Sequence, residues 1–272
     1  MPELPEVETI KRGLERKLIG QKLKNIEIFD SKFLLKNKVK NLNIIVGEKL
    51  SSIKRKGKYI IFFFEKNLLL FHLGLTGYFL FIEKNELDKG KKHIILIFEF
   101  EKDRLGYFDI RKFGKIKKVK VEEFSTLKEL KKLGKDVLEI NLDEFKSIFW
   151  QRNRSVKNLL MDQKVISGLG NIYVNELLFR AKINPFKKSR DLREEEIERL
   201  FFQMKSLLGE AIDLKGSSIK NYIDTEGKKG EFQKNFLVYG KKGLPCPRCG
   251  NDLKYQKIAQ RGTFYCPKCQ SL

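Results

Sequence analysis

The spacing of apolar residues changes once along this chain of 272 residues, and that change limits what it can fold into. Residues 21 to 120 contain short apolar or alternating runs separated by turn residues, which is typical of β-strands. The runs are NIEIF, KYIIFFF, LLLFHL, GYFLFI, HIILIFEF, RLGYFDI and KIKKVKV. Beyond them, up to about residue 216, apolar residues recur at helical spacing. The pattern predicts an α+β chain, with an N-terminal β-sandwich or barrel followed by helices and a boundary near residues 125–135.

The first six residues, MPELPE, precede a helical pattern. Val7, Ile10, Leu14 and Leu18 recur on one face and predict a helix from about residue 6 to 18. Pro5 suits the first turn of a helix, and acidic residues suit a helix N-terminus. Helix capping therefore explains this stretch when it is considered by itself, and a chemical role for it needs support from the rest of the chain.

The charge of the chain points to a polyanionic partner. Lys and Arg total 57 against 35 Asp and Glu, which gives a net charge of +22. Such an excess favours a nucleic acid or an anionic membrane. No apolar run reaches transmembrane length, and the N-terminus lacks the pattern of a signal peptide. We therefore expect a cytoplasmic protein that binds nucleic acid rather than membrane.

The four cysteines all lie in the stretch CPRCGNDLKYQKIAQRGTFYCPKC. Their C-x2-C-x16-C-x2-C spacing is typical of one closed, tetrahedral structural Zn²⁺ site. The predicted ligands are Cys246, Cys249, Cys266 and Cys269. The segment between the pairs is predicted to form a hairpin with Arg261 and Gly262 at its tip, where the arginine could contact a phosphate.

The stretch QKVISGLGNIYVNELLF predicts a glycine turn followed by a helix. Gly168 and Gly170 permit close backbone approach, and Asn171 is predicted to cap the helix. Free N–H groups at such a helix start bind phosphate readily, although an ordinary helix pair would also explain the pattern. The polar, glycine-rich segment GSSIKNYIDTEGKKGEF further along is predicted to be a loop.

Five stretches, taken in order, resemble one family. They are MPELPEVET, HLGLTG, DIRKFG, LLMDQKVISGLGNIYVNELLFRA and the terminal CPRC…RGTFYCPKCQ. From the first residue to the last, the chain is similar to the bacterial formamidopyrimidine-DNA glycosylases, bifunctional glycosylase/AP-lyase enzymes of base-excision repair that remove oxidised purines. The resemblance implies a β-sandwich domain at 1–130 and a helix–two-turns–helix domain at 131–235, with a lesion-covering loop near 216–230. It also implies a zinc hairpin at 236–272.

The resemblance further implies catalytic roles. Pro2, exposed when Met1 is removed, corresponds to the nucleophile that forms a Schiff base with the sugar. Glu3 corresponds to the proton donor and Glu6 to a second acid in the site. Lys58 corresponds to the lysine of β-elimination, and Arg261 to the arginine of δ-elimination.

DNA contacts are implied in the same way. Arg111 and Phe113 correspond to residues that fill the hole left by a flipped base, and Asn171 to part of a phosphate clamp. Leu75 stands where the family commonly has methionine, and Lys91 where it has a DNA-contacting histidine. His72 is predicted to lie in a loop and contact phosphate, whereas His93 is predicted to lie on a strand, where a structural role is favoured over a contact. The implied partner is damaged double-stranded DNA, bound by a monomer that uses no cofactor other than Zn²⁺, in the bacterial cytoplasm at the nucleoid.

Elementary chemistry agrees with a proline nucleophile. A base inside a duplex is out of reach and must be flipped out. An α-amino group has a pKa of roughly 7.7–8.0, so it is unprotonated at neutral pH more often than a lysine at about 10.4. The adduct of a secondary amine is an iminium, which acidifies the neighbouring sugar carbon and favours elimination.

Two other functions compete with this interpretation. An endonuclease VIII-type enzyme has the same proline chemistry and zinc hairpin but prefers oxidised pyrimidines. The MPELPEVET start and the Arg111/Phe113 pair favour the purine enzyme. A non-catalytic zinc-ribbon protein would fit the charge and the cysteines equally well, but it leaves MPELPE unexplained.

Overall fold

A computed structural model describes residues 2–83, 92–150 and 152–271, and it divides the chain into two compact units. The first unit comprises residues 1–131 and 214–231, and the second comprises residues 132–213 and 232–272. The division into three domains at residues 130 and 235 stays a prediction.

The first unit begins with a helix and continues mainly as β-strands. Its helices are α1 (Leu4–Leu18), α2 (Ser31–Lys36) and α3 (Lys128–Lys131). Its strands are β1 (Leu23–Ile28), β2 (Leu50–Lys56), β3 (Tyr59–Phe64), β4 (Asn67–His72), β5 (Gly77–Phe81), β6 (Ile94–Phe100), β7 (Arg104–Asp109) and β8 (Lys115–Lys120).

Within the described residues of this unit, the strands form two four-stranded antiparallel sheets. One has the order β1-β6-β7-β5 and the other β2-β3-β4-β8. The core between them is aromatic: the ring of Phe71 lies 5.5 Å from Phe62, 5.0 Å from Phe79 and 5.2 Å from Tyr107, measured between centroids. Tilted and edge-on pairs at these distances stabilise a core beyond the area they bury. The predicted β-sandwich is confirmed.

Helix α1 begins at Leu4, two residues earlier than its apolar pattern predicts. Glu3 takes the N-cap position, so Pro5 lies within the first turn, where its missing N–H leaves no bond unmade. The apolar face of the helix, including Val7, Ile10 and Leu14, is fully buried in the core. This packing fixes the start of the chain against a rigid sandwich.

Residues 214–231 run without a regular helix or strand and belong to the first unit, although they follow a helix of the second. The N–H of Phe81 on β5 donates to the carbonyl of Thr225 at 3.0 Å. Gly13 makes room for this segment on α1, since a Cβ there would lie 2.3 Å from the hydroxyl of Thr225. The loop predicted from composition is therefore held on α1 and on an edge strand.

The second unit is helical and ends in a small hairpin. Its elements are β9 (Lys135–Asp136), α4 (Leu142–Trp150), α5 (Val156–Met161), β10 (Ile166–Ser167), α6 (Asn171–Arg180), α7 (Glu194–Asp213), β11 (Lys254–Ile258) and β12 (Arg261–Tyr265). Strands β9 and β10 pair in parallel, whereas β11 and β12 pair as an antiparallel hairpin. Among the described residues, no helix combines the length and apolarity needed to cross a membrane.

Candidate active site

Three of the catalytic residues predicted from the sequence lie together at the start of α1. Pro2 is buried, and Glu3 and Glu6 are 3% and 1% exposed. The carboxylate of Glu6 accepts the N–H of Glu3 at 2.7 Å through Oε2 and the N–H of Ser217 at 2.7 Å through Oε1. Glu6 therefore connects the N-terminus to the segment 214–231, and its engaged oxygens favour a positioning role over proton transfer.

The segment is shaped to reach Glu6. Gly216 has φ +75°, a conformation that glycine adopts readily, and a Cβ at that position would lie 2.7 Å from Oε1 of Glu6. The hydroxyl of Tyr222 donates to the carbonyl of Glu6 at 3.5 Å. Burial, together with the charge of Glu6, raises the pKa of Tyr222, so its hydroxyl keeps its proton. Composition predicted a loop here but gave no signal for these contacts.

Lys58 follows Gly57 in the two-residue turn between β2 and β3 and is only 6% exposed. Arg55 supports that turn, because its guanidinium donates to the carbonyl of Gly57 at 2.9 Å and to Oε2 of Glu8 at 2.9 Å. Although burial acts in the opposite direction, the bond to Arg55 holds the pKa of Glu8 below its usual range. The ion pair joins α1 to the Lys58 turn. Sequence reasoning missed both partners, although Glu8 lies in the MPELPEVET stretch, because the bond joins residues 47 positions apart.

His72 is the last residue of β4 rather than a loop residue, because it still pairs with Tyr59 on β3 and with Lys115 on β8. Its Nδ1 accepts the N–H of Gly74 at 3.1 Å, which leaves Nε2 as the donor of a neutral ring. Burial, and then the charges of Lys58 and Lys115, lower the pKa of His72 to about 4. The imidazole is therefore neutral at physiological pH.

Leu75, Arg111 and Phe113 come together on two adjacent turns. The turn bearing Leu75 fits closely against the other, since a Cβ on Gly74 would lie 2.6 Å from the carbonyl carbon of Phe113. The guanidinium carbon of Arg111 lies 4.8 Å from the centre of the Phe113 ring. Leu75 is 37% exposed and Phe113 48%, so both present apolar surface beside Arg111. The exposed apolar pair and the arginine suit insertion into a base stack.

Asp109 organises those turns, and sequence reasoning missed it although it opens the DIRKFG stretch. It is fully buried. One oxygen accepts the hydroxyl of Thr76 at 2.6 Å and the N–H of Arg111 at 3.3 Å, and the other accepts the N–H of Gly114 at 2.7 Å. A buried carboxylate with these bonds holds the turn that carries Leu75 and the turn that carries Phe113 in place.

The two remaining predicted contacts of this unit differ in outcome. His93 does not lie on a strand: it occupies an exposed turn with φ +71°, one residue before β6, and its carbonyl accepts the N–H of Asp109 at 3.1 Å. The strand prediction was wrong because the apolar alternation begins only at Ile94, and His93 itself makes the turn. Lys91 lies outside the described residues.

In the second unit, Gly170 rather than Asn171 is the N-cap of α6, and Asn171 is the first residue of the helix. The predicted cap was thus one residue too late, because Gly170 supplies the extended conformation that ends the preceding turn. Gln163 frames this turn: its Oε1 accepts the N–H of Gly168 at 3.0 Å, and its Nε2 donates to the carbonyl of Leu169 at 2.8 Å. Gln163 therefore fixes the turn that leads into the N-terminus of α6.

The four cysteines converge. Their Sγ atoms lie within 4.8 Å of one another, with 3.9 Å between Cys246 and Cys269 and 3.5 Å between Cys249 and Cys266. A tetrahedral Zn²⁺ with Zn–S bonds of about 2.3 Å places its sulfurs roughly 3.7 Å apart. The cysteines fit one structural Zn²⁺, whose four coordination positions would all be taken by thiolates.

Arg261 does not lie at the tip of the hairpin above these cysteines. The tip is formed by Ala259 and Gln260, with φ of 44° and 63°, and Arg261 is the exposed first residue of β12, opposite Ile258. Two successive residues of positive φ match the right-handed twist of a two-residue hairpin. The prediction placed the tip at Arg261 and Gly262 because glycine usually marks such turns.

Comparison with known proteins supports the same architecture. Three family models match the chain: the formamidopyrimidine-DNA glycosylase N-terminal domain at residues 1–116, the formamidopyrimidine-DNA glycosylase H2TH domain at 133–222, and the zinc finger found in FPG and IleRS at 243–272. The formamidopyrimidine-DNA glycosylase of Listeria innocua is 35% identical over 274 residues, covering 99% of this chain and 100% of the relative. That of Latilactobacillus sakei is 37% identical over 276 residues, covering 99% and 98%.

Solved structures agree over the full length. The complex of Lactococcus lactis Fpg with abasic-site DNA matches with a TM-score of 0.91 and 34% identity, covering 100% of both chains. The MutM (Fpg) protein of Thermus thermophilus matches with a TM-score of 0.87 and 35% identity, covering 99% of this chain and 98% of that one. A β-sandwich that begins with a capped helix, an H2TH region and a four-cysteine finger together define a DNA glycosylase. The chain belongs to the formamidopyrimidine-DNA glycosylase family.

Proposed function

We propose that this protein is a bifunctional DNA glycosylase and AP lyase that removes oxidised purines in base-excision repair. The observation that carries the proposal is full-length similarity to formamidopyrimidine-DNA glycosylases, 99% of the chain at 35% identity, with Pro2 and Glu3 leading into the capped first helix. The substrate is DNA that contains 8-oxoguanine or formamidopyrimidines. Its site of action is the bacterial cytoplasm, at the nucleoid.

Pro2 supplies the nucleophile once Met1 is removed. Its secondary amine attacks C1′ of the flipped nucleotide, the bond from C1′ to the base breaks, and the base leaves with a proton. Protonation of the ring oxygen then breaks its bond to C1′, and the nitrogen lone pair forms the C1′=N iminium. The iminium draws electrons from C2′, so loss of a C2′ proton breaks the bond from C3′ to its oxygen, and loss of a C4′ proton then breaks the bond from C5′ to its oxygen. Water then releases the sugar remnant and regenerates the amine.

Other side chains assist these steps. Glu3, held beside Pro2 by its own N–H bond to Glu6, donates a proton that opens the deoxyribose. Lys58, held by the Arg55-supported turn, assists β-elimination and contacts phosphate. Arg261 assists δ-elimination. The Zn²⁺ ion shapes the finger and supplies no chemistry to the sugar.

The remaining residues hold the DNA. Leu75, Arg111 and Phe113 occupy the space that the flipped nucleotide leaves in the stack. His72 and the N-terminus of α6 at Asn171 contact phosphates, the former as a neutral donor. The loop 214–231 covers the lesion.

Borohydride trapping tests the proposal. Reduction of the iminium should lock the protein to a duplex with 8-oxoguanine opposite cytosine, and peptide mapping should place the crosslink on Pro2. The matched control carries one extra N-terminal residue that acylates Pro2 and leaves the rest of the chain unchanged. Normal crosslinking by the control would mean that a lysine is the nucleophile. Absence of trapping by both proteins would favour a non-catalytic DNA-binding protein, and preferential trapping on oxidised pyrimidines would favour an endonuclease VIII-type enzyme.

A further inference from the structure

Three polar side chains of the second unit are buried beneath the finger. Lys157 on α5 and Glu176 on α6 are each 0% exposed, and Asn175 on α6 is 1% exposed. Side chains of this kind remain buried only when hydrogen bonds compensate for lost hydration. The three, called here the buried polar cluster, all bond to the C-terminal module that carries the zinc ligands.

Lys157 reaches the strand that begins with Arg261. Its ammonium donates to the carbonyl of Gly262 at 2.7 Å and to the hydroxyl of Thr263 at 2.9 Å, and lies 3.4 Å from Oδ1 of Asn175. The hydroxyl of Thr263, itself fully buried, donates in turn to the carbonyl of Arg261 at 3.1 Å. A chain of hydrogen bonds therefore runs from α5 to the backbone of Arg261.

Asn175 joins the same strand to the start of α6. Its Nδ2 donates to the carbonyl of Asn171 at 2.6 Å and to that of Gly262 at 3.3 Å. Its Oδ1 accepts the N–H of Phe264 at 2.8 Å. One amide group thus fixes the spacing between the first residue of α6 and β12.

Glu176, the next residue, holds the chain that leads into the finger. Its carboxylate accepts the N–H groups of Leu237, Val238 and Tyr239 at 2.8, 3.0 and 2.7 Å. These neighbouring side chains attach the C-terminal module to α6 at two places. Arg248 makes a third attachment, because its guanidinium donates to the carbonyls of Phe179 and Arg180 at 2.7 and 3.1 Å.

The zinc site does not make these attachments. The four thiolates join residues 246–249 to residues 266–269, which closes the finger upon itself. The buried polar cluster supplies hydrogen bonds that join β12 directly to α5 and α6. Because Arg261 and Asn171 lie at the two ends of this connection, their spacing depends on it as well.

We propose that Lys157 is a positioning residue that, through Thr263 and Gly262, aims Arg261 for δ-elimination and keeps it in register with the phosphate-binding start of α6. The inference rests on the proposed function. Zinc then folds the finger, and a buried lysine that does not touch the sugar orients the arginine.

The test uses Lys157→Met, which preserves length and removes the donors, in the full-length zinc-loaded protein. On a duplex with a single abasic site, we expect δ-elimination to slow about tenfold, while borohydride trapping on Pro2 changes by less than about twofold. Zinc should stay at one ion per chain in a thiol-blocking release assay. In an Arg261→Ala background, Lys157→Met should add less than about twofold, because the two changes act through one group.

Two further variants make the result decisive. Lys146→Met is the matched control, because Lys146 is also largely buried in this unit but pairs with Glu194 and Glu198 on α7, each at 2.6 Å. It should lower stability and leave the ratio of β- to δ-product unchanged. Thr263→Val, nearly isosteric, removes the hydroxyl that joins Lys157 to the carbonyl of Arg261 and leaves the bond from Lys157 to Gly262 in place. It should reproduce the δ-specific loss if Lys157→Met does not fold.

Equal effects of Lys157→Met and Lys146→Met on that ratio would overturn the inference, as would losses that multiply in the Arg261→Ala background. So would an unchanged ratio in Thr263→Val. Absence of Pro2 trapping in the wild-type protein would instead remove the proposed function itself, so the two failures are distinguishable.

Discussion

At the scale of single residues, the unusual feature of His72 is its neutrality. Burial and two neighbouring lysines keep the imidazole uncharged in a protein of net charge +22. A neutral ring with Nδ1 engaged by Gly74 offers one N–H, through Nε2. Its contact with a phosphate would be a directed hydrogen bond rather than an ion pair.

We therefore predict that the contribution of His72 to DNA affinity does not titrate near neutral pH. The ratio of the dissociation constants of His72→Gln and wild type, measured on an abasic-site duplex at fixed salt, should be flat from pH 5.5 to 8. A cationic contact would instead strengthen as the pH falls through about 6.5. A ratio that grows toward acid would contradict the neutral assignment.

Stability provides the internal control for this prediction. Since the folded-state pKa of His72, about 4, lies below the usual 6.5, the unfolded chain takes up a proton that the folded chain refuses. The neutral ring makes its full contribution to the free energy of unfolding above pH 6.5. This contribution is lost as the pH falls toward 4, by at most about 3 kcal/mol. In urea unfolding, the free energy of unfolding of the wild type should fall relative to that of His72→Gln as the pH is lowered from 6.5 to about 4.

Sequence reasoning reached the candidate catalytic residues and zinc ligands but not the residues that hold the candidate site in place. Pro2, Glu3 and the cysteines belong to short motifs whose chemistry can be predicted from the local sequence. Asp109 and Glu8 are ordinary acids in sequence, and their importance depends on bonds to backbone or side chains distant along the chain. Such partners are set by tertiary packing, which no local pattern encodes.

At the scale of elements, the sandwich was predictable because its strands alternate, and the exceptions have physical reasons. Strand β2 was missed because its sequence LSSIKRK is largely polar, as suits a strand at a sheet edge. Helix α2 is only six residues long, too short for its period to be distinguished. The finger was predictable from thiol spacing alone, whereas the position of its tip was not.

The finger also yields a prediction about metal. Cys249→Ser should abolish stoichiometric zinc binding, because a closed four-thiolate site has no substitute ligand. The affinity for an abasic-site duplex should fall at least about tenfold, since the metal stabilises the folded finger on which Arg261 is placed. Borohydride trapping through Pro2 should persist in part, because Pro2 belongs to the other unit.

Metal content is measured by atomic emission and affinity by fluorescence anisotropy, with chelated and zinc-restored wild type as the comparison. Recovery of affinity on restoring zinc to the wild type is expected, and none for the serine variant. Full affinity in a metal-free variant would refute a structural role for the ion.

At the scale of the whole molecule, 57 basic against 35 acidic residues leave a net charge of +22, which ion pairs within the chain do not reduce because each contains one charge of either sign. We predict that affinity for undamaged duplex falls steeply with salt, with a slope of log K against log salt of about −0.9 for each phosphate neutralised. Arg261→Ala should reduce the magnitude of the slope by about one, as for the loss of one phosphate contact.

Phe113→Ala is the matched variant for that measurement. It removes no charge, so the slope should stay at the wild-type value, while excision of 8-oxoguanine from duplex should fall because the emptied stack is no longer filled. A changed slope, or equal losses on damaged and undamaged DNA, would instead indicate that Phe113 packs the surface turn.

The route of the chain between the units has a consequence for biosynthesis. Residues 214–231 complete the first unit, where Ser217 satisfies the Glu6 carboxylate, yet the ribosome makes them after α7. At roughly 5–20 residues per second, the interval from the end of α3 to this segment lasts on the order of 5–20 s. During that time the nascent sandwich carries a buried acid without one of its partners. The repair site is therefore completed late in translation, after most of the chain has emerged.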